Sequence, residues 1–195
     1  MKVLTDRFDP PAFWRQVESA GHRLLLLDYD GTLAPFREER DRALPYPGVK
    51  EELVRLAGQA TGRVVVISGR PAREVAGLLD LEPRPEIWGC HGGERLGPDG
   101  AHWLQAGARE LEPELESAAR RLAELAGRRQ VERKPLSVAL HWRGLAPERA
   151  QGLERQARAE LERAEPVRDG RLVLAGFDGG LELRPPGVTK GAVVQ

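Results

Sequence analysis

The sequence predicts an α/β fold: a doubly wound parallel sheet with an α+β unit inserted into it. Three observations carry this. The stretch "HRLLLLDYD" (22–30) is a continuous apolar run of strand length, as expected of a strand buried on both faces of a parallel sheet. It opens an alternation of strand, helix, strand, helix, strand that lasts to residue 93. From residue 94 the order becomes hairpin, helix, strand, helix, two strands, which is the pattern of an antiparallel sheet backed by helices.

Each element has a local reason. "PPAFWRQVESA" (10–20) reads as a first helix entered through prolines, whose fixed φ suits a first turn. "YPGVKEELVRLAGQATG" (46–62) puts Val49, Leu53, Leu56 and Ala60 on one helical face, and Gly62 follows its end. "RVVVIS" (63–68) is a second buried strand. "RPAREVAGLLDL" (70–81) is a helix with Pro71 at its first turn, and "EIWGCHGG" (86–93) is a third strand that ends in glycines. "ERLGPDGAHWLQ" (94–105) reads as a hairpin turning at "PDG". A long charged helix (108–129), an alternating strand with a break near Pro135 (130–144) and a second charged helix (146–165) follow. "RLVLAG" and "GLELRP" are two strands around an "FDGG" turn. The insertion is expected at 94–182, between core segments 1–93 and 183–195.

Composition removes several function classes. The 195 residues contain 41% apolar side chains, enough for a core, and thirty basic residues balance thirty acidic ones. A formally neutral chain implies no basic face, so nucleic acid is not an expected partner. One cysteine, Cys90, excludes a disulfide framework and suits a reducing compartment. The start "MKVLTDRFDPPAFW" has acids and prolines where a secretory leader has its apolar segment, and no stretch is apolar for the roughly 18 residues of a membrane span. A soluble cytoplasmic protein with no membrane partner is therefore expected. Only Lys2, Lys50, Lys134 and Lys190 are lysines in a chain that otherwise uses arginine, so a retained lysine hints at a need for a compact ammonium.

The first apolar run ends in Asp28 and Asp30, one residue apart, and the chain reverses at Gly31. In an open α/β sheet, ligands bind beyond the carboxyl ends of the strands. Asp28 ends the first strand and Ser68 the second, so both are expected in one crevice. With a phosphate monoester there, Asp28 can attack phosphorus and form an aspartyl-phosphate. Asp30 can protonate the leaving oxygen and then deprotonate the hydrolytic water. Gly31 permits the tight turn and leaves amides facing the phosphate, and the hydroxyls of Thr32 and Ser68 can bond its oxygens. Two carboxylates beside a dianion call for a divalent cation, and hard oxygen ligands favour Mg²⁺. Lys190, at the head of a late helical segment, is the candidate to balance the remaining charge.

This constellation resembles the haloacid dehalogenase superfamily: "DYDGTL" matches its first motif, "VVVISGR" its second and "VTKG" its third. The resemblance implies a Rossmann-like core with a cap domain, Asp28 as nucleophile, Asp30 as acid/base, Ser68 as phosphate ligand and Lys190 as charge balancer. It also implies Mg²⁺ held by the Asp28 carboxylate and the Asp30 carbonyl. The stretches "SGRP", "CHGGER", "ERKPLSVALHWRG" and "LELRPPGVTKG" are similar to the trehalose-6-phosphate phosphatase family, from about Arg23 to Gln195. That similarity implies hydrolysis of trehalose 6-phosphate, with a trehalose-phosphate synthase as a possible protein partner. By the same resemblance Gly69, Arg70, His91, Glu94, Lys134, His141, Arg143 and Glu182 lie at the cleft between core and cap and bind substrate.

Simpler roles are open to the same residues. Arg70 can bridge to its own helix, His91 can be structural, His141 and Arg143 can form the polar side of one strand, and Glu182 can pair with Arg184. The tryptophans read as packing residues, with Trp103 and Trp142, in the insertion, open to a role as sugar platforms. Other phosphorylated sugars, such as sucrose phosphate or mannosyl-phosphoglycerate, are alternative substrates, and a non-catalytic sugar-phosphate binder is the rival class. The family's fourth motif, an acidic loop of the form "GDDxTDE", should follow Lys190. No "DD" occurs in the sequence, so a truncated chain or an incomplete metal site is expected.

Overall fold

A computed structural model describes residues 8–37, 39–59 and 61–194. Ala60, placed by periodicity on the apolar face of a helix, and the terminal Gln195 lie outside the described residues. Helix α1 (Pro10–Ser19) starts where Asp9 accepts the Ala12 N–H at 3.2 Å, ahead of two prolines that have no N–H to satisfy. The first sheet then follows the predicted alternation: β1 (Arg23–Asp28), α2 (Val49–Ala57), β2 (Gly62–Ile67), α3 (Ala72–Leu79) and β3 (Glu86–Gly89). The three strands are parallel neighbours in the order β1-β2-β3. Leu53 of α2 and Val75, Leu78 and Leu79 of α3 pack with Val64, Val66 and Ile87 in one apolar cluster.

Two expectations need correction. β1 is not buried on both faces. It is the outer strand among the described residues, and Leu24 and Leu25 are 57% and 40% exposed. An apolar run reports strand formation but not the number of neighbours. The hairpin is the second correction. Strands β4 (Glu94–Leu96) and β5 (His102–Leu104) extend the first sheet, giving β1-β2-β3-β4-β5, instead of opening the insertion at residue 94. The reason is local: a tight turn at Cys90–Gly92 folds Glu94 back opposite Gly89, so β4 pairs with the free side of β3. Trp103 is carried with it and meets Trp88 edge-on at 5.9 Å, a packing role in the first sheet and not in the cap.

The remaining residues build the second layer. Helix α4 (Glu112–Ala126) leads into β6 (Val131–Lys134) and β7 (Ser137–His141), a hairpin turning at Pro135 and Leu136 where one broken strand was expected. Helices α5 (Pro147–Glu162) and α6 (Glu165–Arg168) precede β8 (Val173–Phe177) and β9 (Gly180–Arg184). The sheet is antiparallel, in the order β6-β7-β9-β8. It extends to Arg184, two residues past the expected boundary at 182. Period-two alternation divides its faces. Val138, Leu140, Leu181 and Leu183 face α4 and α5 and form a second core with Leu115, Leu122 and Leu161. The opposite face carries Glu132, Lys134, His141, Glu182 and Arg184 over the carboxyl ends of β1 and β2. Leu136, at the hairpin tip, is 1% exposed and packs with Cys90 and Ala108, which pins the second sheet to the first layer. Helix α7 (Lys190–Val194) follows the return of the chain.

Candidate active site

A cavity of about 770 Å³ lies between the two sheets, within the range that takes a drug-sized ligand. Asp28, the last residue of β1, opens into it. One carboxylate oxygen accepts the Tyr29 N–H at 2.8 Å and the other lies 2.6 Å from the Lys190 ammonium. Lys190 is aimed by the start of α7, where the Thr189 hydroxyl accepts the Ala192 N–H at 3.2 Å. Tyr29 is fully buried and its hydroxyl donates to the Ala43 carbonyl at 2.7 Å, which anchors the loop after Asp28. Burial, the largest influence, pushes the Tyr29 phenol up to about 12. Gly31 adopts φ +81°, and a Cβ there would lie 2.6 Å from the Phe36 ring, so the turn needs glycine.

Asp30 lines the cavity but is engaged. Arg70 donates from Nε at 2.8 Å to one oxygen and from Nη2 at 2.8 Å to the other. The remaining Arg70 donor group serves Glu74 of α3 and the Arg40 carbonyl at 2.8 Å. Arg70 is buried with its polar atoms occupied, so it positions Asp30 and the Arg40 loop instead of presenting a free guanidinium to substrate. Ser68 is fully buried outside the cavity lining, where its hydroxyl accepts the Arg70 N–H at 3.1 Å. Ser68 was expected in the crevice; it follows β2 fully buried, with its hydroxyl engaged by the Arg70 amide. Thr32 is exposed and outside the lining. Glu94 is also outside it. Its carboxylate accepts the Ala72 N–H at 2.7 Å and meets the His102 ring at 2.7 Å, so it fixes the start of α3 to the β4–β5 hairpin.

The other predicted residues do converge. Consecutive left-handed residues, Cys90 (φ 48°) and His91 (φ 58°), turn the His91 ring over Gly69 and across the cleft to Glu182, at 3.1 Å. Glu182 accepts from Lys134 and from Ser137, each at 2.8 Å. Burial alone would raise the Glu182 pKa; the bonds and charges of His91 and Lys134 outweigh it and hold the carboxyl below its usual range. Arg143 lines the outer rim and donates to the Asp178 carbonyl at 2.8 Å. His141 contacts Glu132 at 2.9 Å. Arg40 and Glu132 escaped the sequence reading, and they form an ion pair between the first layer and the second sheet. Burial works against the Glu132 charge, but His141, Lys134 and Arg40 prevail and hold its pKa at about 2. Glu132 was findable, since "ERK" places it on the face of Lys134; Arg40 sits in an aperiodic charged loop and had no such signal.

For a hard cation, the donors present are the Asp28 carboxylate and the Asp30 carbonyl, which accepts no backbone hydrogen bond among the described residues. These two oxygens suit Mg²⁺; no group of three or more potential ligands gathers among the described residues.

A carboxylate at the end of the first parallel strand, a lysine at the head of a late helix and an antiparallel unit folded over both define a haloacid-dehalogenase-like α/β fold. The trehalose-phosphatase family model matches residues 26–195, and the chain belongs to that family. A trehalose-phosphate phosphatase of Mycobacterium marinum is 36% identical over 166 residues, which is 83% of this chain and 40% of the relative. The chain thus spans about 40% of that relative's length. The C-terminal domain of the C. albicans trehalose-6-phosphate phosphatase superposes with a TM-score of 0.78 at 20% identity, over 96% of this chain and 65% of that one. The Aspergillus fumigatus trehalose-6-phosphate phosphatase superposes with a TM-score of 0.60 at 25% identity, over 95% and 69%. The resemblance read from the three motifs is borne out at the level of family and fold.

Proposed function

We propose that the chain carries the site of a Mg²⁺-dependent trehalose-6-phosphate phosphatase, which yields trehalose and phosphate. The observation that carries this reading is the Asp28–Lys190 pair, at 2.6 Å, facing a cavity whose other wall holds Lys134, His141 and Glu182. Among the described residues the core comprises roughly 8–108 and 185–194, with the cap between them, a division supported by sheet membership. Asp28 attacks phosphorus in line, the bond from phosphorus to the sugar oxygen breaks, and an aspartyl-phosphate forms. Asp30 gives its proton to the leaving oxygen and takes one from the water that hydrolyses the intermediate. To do so it turns from Arg70 toward that oxygen. Lys190 offsets the charge of Asp28 and of the phosphoryl group. Bound by the Asp28 carboxylate and the Asp30 carbonyl, Mg²⁺ supplies the charge neutralisation that lets a dianion approach two acids. The cap's carboxylates and Lys134 hydrogen-bond sugar hydroxyls. A cytoplasmic setting and a trehalose-phosphate synthase partner belong to the same reading.

A second reading is favoured by one observation, the clasp of both Asp30 oxygens by Arg70: a protein that binds a sugar phosphate without turnover. Phosphate release from trehalose 6-phosphate, sucrose phosphate and mannosyl-phosphoglycerate, with Mg²⁺ or EDTA, separates these possibilities. The expected result is Mg²⁺-dependent release from trehalose 6-phosphate that drops at least about a thousandfold in Asp28→Asn. Binding with no release from any sugar would sink the catalytic reading.

A further inference from the structure

The cavity concentrates positive charge in a chain that has none to spare. Eight cationic side chains line it against four carboxylates, whereas the whole chain balances thirty with thirty. Each lining carboxylate is already paired: Asp28 with Lys190, Asp30 with Arg70, Glu132 with Arg40 and Glu182 with Lys134. Arg143 is turned to Asp178. The surplus therefore rests on Arg37, Arg129 and Arg184, which have no ion pair among the described residues. The alternative pairing of Arg184 with Glu182 does not form, because Lys134, Ser137 and His91 occupy that carboxylate. Arg184 closes β9 at the Lys134 end of the cap sheet, and Arg129 precedes β6 at the His141 end.

We propose that Arg129 and Arg184 make the cap wall an anion-capture surface, which draws phosphate-class dianions into the cleft ahead of any contact with Asp28. Unpaired guanidiniums at both ends of a concave wall focus the field inward, since the low-dielectric walls confine it. Arginine suits the task because it stays charged and offers a fork of donors to phosphate oxygens. The inference goes beyond the proposed function and holds whether or not Asp28 is a nucleophile.

The probe is inorganic phosphate, titrated calorimetrically into the protein in EDTA at low salt. The Asp28–Asp30 end is charge-matched by Lys190 and Arg70 and is common to every variant, so the change in affinity on replacing the arginines reports the cap wall. The dissociation constant is expected to rise severalfold in Arg129→Gln and in Arg184→Gln, and about tenfold in the double variant, with the difference collapsing at high salt. A control double variant, Lys50→Gln with Arg155→Gln, removes the same charge from α2 and α5 outside the cavity and is expected to bind as the parent does. Equal weakening in both double variants, no response to the arginine changes, or no phosphate binding by the parent would each overturn the proposal. Because no turnover is read, this outcome is independent of the phosphate-release test.

Discussion

The two walls of the cleft are made by different means. The core wall is assembled from separate chain segments, the ends of β1 and β2, the turn after β3 and the head of α7, each aimed by backbone conformation. Gly31, Cys90 and His91 are left-handed there, and a Cβ on Gly69 would strike the His91 ring at 2.7 Å. The cap wall is one face of one sheet, where alternation alone brings Glu132, Lys134 and Glu182 together. Backbone-aimed groups are limited by sterics. Groups on a sheet face are limited by how their charges are matched, so the cap wall should fail when a partner is lost even though its backbone is untouched.

The largest effect expected on that account is at Glu182. It is 3% exposed and is the shared acceptor of Lys134, Ser137 and His91. Glu182→Ala leaves a buried ammonium without a partner and is expected to cost roughly 3–5 kcal/mol in urea unfolding. Glu182→Gln keeps an acceptor for Lys134 and should cost less. Equal losses in the two variants would mean that packing, and not charge matching, governs this wall. A smaller effect is expected where the walls meet. Leu136→Ala removes the plug against Cys90 and is expected to cost about 2–3 kcal/mol, the lower part of the range for buried leucines, because a seam between layers can partly collapse. Limited proteolysis should then cut the β6–β7 hairpin faster, and an unchanged cleavage rate would remove Leu136 as the pin.

What the sequence revealed follows the same division. Two acids after an apolar run are chemically costly unless used, so Asp28, Asp30 and Lys190 were legible from residue types and order. Their neighbours were not. Ser68, Thr32 and Glu94 sit beside or within motif stretches, yet Ser68 and Glu94 are buried in bonds to the backbone of Arg70 and Ala72, and Thr32 is exposed. Proximity in sequence carries no information about that placement. The cap's strands were legible from alternation, but the hairpin β4–β5 looks the same whichever sheet it joins, and its assignment awaited the Gly89–Glu94 register. Nor does apolarity report edge position, which is why β1 read as buried on both faces.

Acid separates the walls with the smallest effect. Glu132 has a pKa of about 2 in the folded chain against an ordinary 4.5. A depressed folded-state pKa adds stability that is fully present above the unfolded value and is lost as pH falls through the folded one. The Glu132 contribution is therefore complete above pH 4.5 and fades toward pH 2. In urea unfolding, the parent should exceed Glu132→Gln by a constant margin above that window, and the two curves should converge as protonation removes the charge that Arg40 and His141 require. The margin should be modest, since Arg40 and His141 are each about a third exposed, at 32% and 37%, and water screens the pair. A margin that did not change with pH would show that Glu132 acts through its shape on the sheet face, and the cap wall would then be steric in the same sense as the core wall.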